Sequence, residues 1–333
     1  MVATIKDIAR EAGVAISTAS NVLNNKTGAI KASEGTRQRI LRAAAALDYS
    51  PSVMAKGLRS GKSCLAGVML PAIYGSFIPE ILQGVEDVLH DNDYNMILCT
   101  FKDAAEFRGK WTVLRAKKVD GIITLPSQDE AFLAAYAEMT GKIPLVFTAG
   151  KVARLDIPYA YVPPEDIARL AARYLLGQGH RNIGILGPRR GGYLEAFLAE
   201  MGKYPESKHC VSREFSSFAD TAPEFKRMRE EFPAMTAVMA YNDEVAAVAI
   251  NEARKLGMNV PEDLSVMGVD DLPICEMAYP RITTIAQPRR EQGSSAARLL
   301  MDLINNKTVV GGVSLAPRLV ERESCNIPRR TSR

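Results

Sequence analysis

Apolar side chains recur at helical spacing in short runs at the start of the chain. Ile5, Ile8, Ala9 and Ala12 form the first run. Thr4 and Asp7 stand three apart at its head as a capping box, and Gly13 permits a tight turn at its end. Ala19, Val22 and Leu23 then mark the inner face of a second helix starting near Ile16. A loop from Asn24 to Ala32 carries Gly28, and a third helix from about Ser33 is expected to bury Ile40, Leu41, Ala44 and Leu47. From Pro51 the positions Val53, Met54, Ala55 and Leu58 offer one apolar side, with Gly57 among them. A helix that short does not persist without a partner to pack against.

Beyond residue 63 the pattern changes to short apolar runs alternating with amphipathic ones. Strands are predicted at 65–70, 94–99, 119–125 and 144–147, with helices at 77–92, around 111–117 and at 130–140 between them. The same alternation resumes with a helix at 166–176, strands at 183–186, 237–240 and 264–269, and a helix at 243–256. Alternating strands and helices predict parallel, doubly wound sheets. Two such units predict a bilobed α/β body, with a ligand cleft at the carboxyl ends of the strands.

Charge sharpens this division. The 333-residue chain carries a net charge of +4, yet residues 1–63 hold ten Lys and Arg against four Asp and Glu. The first segment is therefore +6 and the remaining 270 residues −2. A basic head on a near-neutral body suits a module that faces phosphate. Cys64, Cys99, Cys210, Cys275 and Cys325 are dispersed without CxxC spacing, which argues for reduced thiols and against a disulfide framework or a zinc site. No apolar run is long enough to span a bilayer, and the N-terminus lacks the pattern of a secretory signal; the expectation is a soluble, cytoplasmic protein.

Two helices joined by a Gly-containing turn and braced by a third make a helix-turn-helix, whose second helix enters the major groove. A small helical bundle without a ligand is the alternative. Ile16, Ser17 and Asn21 are the outward positions for base edges, and Thr18, Ser20 and Asn24 suit phosphate oxygens. The runs Thr4–Val14, Ser17–Asn24, Thr36–Ile40 and Leu47–Pro51 together resemble the head of the LacI/GalR family of bacterial transcriptional regulators. Three departures stand out: Ala15 replaces a family Ser before the recognition helix, Asn21 replaces a frequent Arg, and the loop before Ser33 is longer. Asn at position 21 favours adenine over guanine.

The resemblance runs through the body in 119–123, 179–183, 241–246, 266–271 and 280–288. It implies an α N-terminal helix-turn-helix head (1–48), a hinge helix or linker (49–63), a periplasmic-binding-protein-like body for effector binding and dimerisation (64–328), and a tail (329–333). The body's two doubly wound parallel-sheet lobes would comprise 64–162 with 289–313, and 163–285 with 314–328. DNA contacts are implied for Thr4, Ile16, Ser17, Thr18, Ser20, Asn21, Asn24, Lys31, Ala55 and Leu58. Leu58 would wedge the central base step in the minor groove, with Ala55 facing the partner hinge. Effector contacts are implied for Phe77, Arg189, Tyr193, Asn242 and Asp270. The Asp270 carboxylate, just after a strand, suits two hydroxyl hydrogen bonds and hence a carbohydrate. Two departures point to altered polarity: Tyr193 stands where a family Arg is usual, and Pro163-Pro164 replaces an Asp-Asn.

The implied function is an allosteric, sequence-specific repressor of a carbohydrate operon. It would act as a homodimer on a pseudo-palindromic operator in double-stranded DNA. No cofactor, metal or catalytic group is expected. His90, His180 and His209 lack metal spacing, no GxSxG elbow or dinucleotide fingerprint occurs, and Gly61-Lys62-Ser63 fails as a P-loop because Lys56 occupies the required Gly position. A periplasmic binding protein would carry a signal peptide in place of the head. With no heptad tail after 319–324, a dimer is expected rather than a tetramer.

Overall fold

The computed structural model describes residues 3–23, 32–49, 61–71, 77–187, 192–213, 215 and 217–328. Two units emerge from its contacts: Met1–Leu65 with Lys118–Asp120, and the rest of the chain.

In the first unit, α1 (Ile5–Glu11), α2 (Ile16–Leu23) and α3 (Glu34–Ala46) lie where the periodicity predicts. The Thr4 backbone N–H and hydroxyl donate to the Asp7 carboxylate at 3.0 and 2.7 Å, closing the start of α1. Gly13, at φ +63°, turns the chain towards α2. Ser33 caps α3 by accepting from Thr36 N–H. Ile8, Ala9, Ala12, Ala19, Ile40 and Ala43 form the buried centre. Leu41 and Leu47, expected inside, are exposed. Leu41 is turned about 100° from Ile40 around the helix, and Leu47 lies beyond the last helical turn as the C-cap.

The second unit contains both sheets. The first draws on β1 (Leu65–Leu70), β2 (Asn95–Thr100), β3 (Gly121–Thr124), β4 (Leu145–Thr148) and β5 (Tyr159–Tyr161), with α4 (Ile78–Asp91), α5 (Ala104–Ala116) and α6 (Glu130–Met139) between them. Helix α5 starts upstream of the predicted segment because Asp103 caps it, accepting from Glu106 N–H at 2.8 Å. Next come α7 (Pro164–Gly177), β6 (Asn182–Leu186), α8 (Tyr193–Met201), β7 (Lys208–Val211), α9 (Thr221–Glu231), β8 (Ala237–Ala240), α10 (Asp243–Lys255), β9 (Ser265–Asp270), α11 (Ile274–Met277) and β10 (Thr283–Ala286). Helix α12 (Arg289–Ile304), β11 (Val313–Ser314) and β12 (Arg318–Val320) close the fold.

Strand order is β11-β5-β4-β3-β1-β2 in the first sheet and β12-β10-β9-β8-β6-β7 in the second. The second sheet is parallel except for β12, which runs antiparallel to β10. Because β11 pairs with β5 and β12 with β10, the chain crosses between sheets three times: after β5, between β10 and α12, and between β11 and β12. Helix α12 returns to the first lobe and packs on α4 through two glycines. A Cβ at Gly84 would lie 1.9 Å from the Arg290 carbonyl oxygen, and one at Gly293 2.0 Å from that of Ile81. Both lobes are thus joined beside the carboxyl ends of their strands. Among the described residues, no helix is long and apolar enough to cross a membrane.

Candidate functional site

In the head, the N-terminal turn of α2 presents Ile16, 47% exposed, and Ser17, also exposed. Thr18 and Asn21 are half-buried. Ser20, assigned to phosphate from sequence, is buried beside Ala19 on the inner face, which narrows the outward set. Ala15 supplies its carbonyl to Ala19 N–H, but its methyl side chain offers no oxygen to the other free N–H groups at the start of α2. Thr4 is exposed, and its hydroxyl serves the α1 cap. Asn24, Lys31, Ala55 and Leu58 lie outside the described residues.

In the body, the site is built where β9 ends. Asp270 and Asp271 have φ of +112° and +62°, a costly backbone for residues with a side chain. Asp243, in the first turn of α10, holds that turn from behind. Its carboxylate accepts from Leu272 N–H at 2.7 Å and from the Thr284 hydroxyl at 2.5 Å. Gly268 makes the approach possible, since a Cβ there would lie 2.2 Å from Asp243 Oδ1. Burial pushes the Asp243 carboxyl up to about 7, with the charge of Asp270 adding to the rise. Asn242 caps α10 by accepting from Val245 N–H at 2.8 Å, so it sets the helix that carries Asp243. Asp271 turns the other way, to Arg322 at 2.8 Å and Arg318 at 3.3 Å.

The side chain of Asp270 meets the crossover back to the first lobe. Its Oδ1 accepts from Gln287 Nε2 at 2.6 Å and from Arg289 Nη2. The Arg289 guanidinium lies 4.5 Å from the centre of the Phe77 ring, at the N-terminus of α4. One arginine therefore connects a carboxylate at the end of the second sheet to an aromatic wall of the first lobe. One oxygen of the carboxylate expected to receive hydroxyl groups is therefore engaged within the protein. Tyr193 starts α8 and lines a cavity with Gly187, Val211, Met239 and Tyr241 at the carboxyl ends of β6 to β8. Its hydroxyl is buried without a hydrogen-bond partner. Burial, and then the negative charge of Asp270, raise its pKa well above the usual phenol range. Arg189 lies outside the described residues.

Phe77 and Asp270 are thus brought together through Arg289, with Tyr193 within electrostatic reach, while Asn242 contributes through the helix it caps. Sequence reasoning missed Gln287, Arg289 and Asp243. The resemblance singled out Asp270, and the position that supports it, a polar residue just past a strand, applies equally to Gln287 and Arg289 after β10.

Residues 4–52 match the family model described as bacterial regulatory proteins, lacI family, and residues 172–325 that of a periplasmic binding protein-like domain. The chain is 33% identical to the HTH-type transcriptional regulator RegA of Clostridium saccharobutylicum, covering 97% of this chain and 99% of that one. It is 32% identical to the HTH-type transcriptional repressor PurR of Proteus mirabilis, over 97% and 96% of the two chains. Among solved structures, the Lac repressor dimer bound to operator and the anti-inducer ONPF superposes with a TM-score of 0.83 at 25% identity, over 98% of this chain and 100% of that one. The transcriptional regulator CelR in complex with cellobiose gives 0.70 at 25% identity, over 97% and 99%.

Proposed function

Since this chain belongs to the LacI family of DNA-binding transcriptional regulators, we propose that it is a homodimeric repressor whose grip on a two-fold operator is set by a carbohydrate or carbohydrate derivative between its lobes. Such a repressor works on chromosomal DNA and hence in the cytoplasm. The observation that carries the reading is the cross-lobe contact of Asp270 with Arg289 over Phe77. A ligand that changes this contact changes how the lobes are joined, and hinge motion of two lobes is a common way to transmit binding. The operator-bound and cellobiose-bound relatives support DNA and a sugar as the two partners.

Ile16, Ser17 and Asn21 read bases. Thr4, Thr18, Asn24 and Lys31 hold phosphates, a task for which Ser20 is poorly exposed. The hinge helices meet at Ala55 and insert Leu58 between base pairs. Phe77, Arg189, Tyr193, Asn242 and Asp270 surround the effector. Coupling between the sites requires that the effector favour one lobe arrangement over the other, typically by about 1–3 kcal/mol.

The test is to recover and sequence genomic fragments bound by the purified protein at fixed salt, because phosphate contacts make affinity steeply salt-dependent. A two-fold symmetric site whose occupancy changes with one sugar of a panel is the expected result. Enrichment of no sequence, with or without cell extract, overturns the reading.

A further inference from the structure

Helix α12 starts at the lobe junction with Pro288 at its N-cap and no side-chain cap. Its first turn therefore leaves N–H groups and the positive end of the helix dipole uncovered by any side chain. Two buried side chains of this turn carry unused donors. Arg289 is 8% exposed and Gln292 fully buried, yet among the described residues Arg289 Nε and Gln292 Nε2 have no hydrogen-bond partner. Three residues apart, they share one face of the helix, and Arg289 Nη1 lies 3.5 Å from Gln292 Oε1. Buried donors without acceptors are costly to maintain, and a cluster of them at a helix N-terminus is the arrangement that oxygen anions satisfy.

The nearby carboxylates do not reach these two donors. Asp270 Oδ1 takes Gln287 and Arg289, and Asp271 is paired with Arg318 and Arg322. Glu291, the acidic residue of the same first turn, is exposed. The junction thus has donors to spare, and the guanidinium lies 4.5 Å from the centre of the Phe77 ring.

We propose that the N-terminus of α12, with Arg289 Nε and Gln292 Nε2, is an oxyanion subsite that receives a carboxylate or phosphate group of the effector. The proposal rests on the cleft being the effector site and narrows the ligand to an acidic carbohydrate derivative. Asp270, held on Nη2 of the same guanidinium, neutralises part of its charge and repels an anion at Nε, so it holds anion affinity down.

The sign of the Asp270 effect makes the proposal testable. Thermal shifts of the full chain would be measured with glucose, gluconate, glucose 6-phosphate and inorganic phosphate at constant ionic strength. At least one anion should raise Tm where glucose does not, and which anion does so separates carboxylate from phosphate. Arg289→Lys keeps the charge but removes Nε, and should weaken that anion by about tenfold or more in Kd. Gln292→Ala should weaken it in the same direction, and it carries the test if the Lys variant is unfolded. Asp270→Asn should tighten it. Glucose acting as strongly as the anions, with Asp270→Asn weakening it, overturns the oxyanion subsite and returns Asp270 to hydroxyl binding. No anion effect, or an equal effect in wild type and all variants, as general salting would give, also overturns it. Operator binding by the same samples reports on the regulator reading separately.

Discussion

Asp243 is a carboxylate buried without a cation, and its surroundings decide its chemistry. Its folded pKa is raised from 3.8 to about 7, so the native state holds a proton that the unfolded chain releases. Stability from this group is fully present below the unfolded value and is lost as pH rises through the folded one. The difference across that window is at most about 4 kcal/mol. Asparagine at this position cannot titrate, yet its Oδ1 can accept from Leu272 N–H while its Nδ2 donates to the Thr284 hydroxyl. The stability of wild type relative to Asp243→Asn should therefore fall from pH 5 to pH 8, as read from urea midpoints. A gap independent of pH would show that Asp243 does not titrate in this range. At this scale the sequence was partly legible: the family resemblance pointed to Asp270, which follows a strand. Asp243 did not, because an acidic residue in the first turn of a helix is ordinary, and only the turn packed over it makes this one unusual.

Among the elements, α2 and the pair α4 with α12 carry the clearest consequences. Ala15→Ser would provide the oxygen that α2 lacks at its start, a contribution of about 1 kcal/mol when such a cap forms. Operator affinity should rise, measured by titration at fixed salt; unchanged binding and unchanged stability would mean the serine does not cap. In the hinge, Leu58→Ala should weaken specific binding far more than non-specific binding, since only a deformed duplex rewards a wedge. Equal losses on both DNAs would exclude that role. For α12, Gly293→Ala drives a methyl into the Ile81 carbonyl, so the helices must separate, at a cost of about 1–3 kcal/mol or more. A melting temperature equal to wild type would refute the close packing. The helices of the head were legible because caps and periodicity are local signals. Helix α9 and strand β7 were missed: α9 carries many charges and β7 is largely exposed, so neither shows the apolar pattern of its class.

At the scale of the whole molecule, the prediction is assembly. A helix-turn-helix regulator reading a two-fold site presents two heads. Sedimentation should give twice the chain mass across micromolar concentrations, and a species that stays monomeric until DNA is added would contradict a preformed dimer. The chain crosses between the two sheets three times, and the structure shows what those crossovers accomplish. The return from β10 to α12 brings Gln287 and Arg289 to the end of β9, where Asp270 waits.

The sequence by itself determined the three helices of the head, much of the alternation of strands and helices in the body, and the ordered motifs that identify the family. These depend on residues close together along the chain, where spacing alone encodes which side faces inward. Only the tertiary structure decided which polar groups are engaged with one another. Asp270 reads in isolation as a free acceptor, yet Arg289, nineteen residues away, takes one of its oxygens. Leu41 reads as core until the helix is docked and its face turned outward. A hydrogen bond is settled by position in three dimensions, and that position is set by how helix α12 packs on α4, which no local pattern along the chain records.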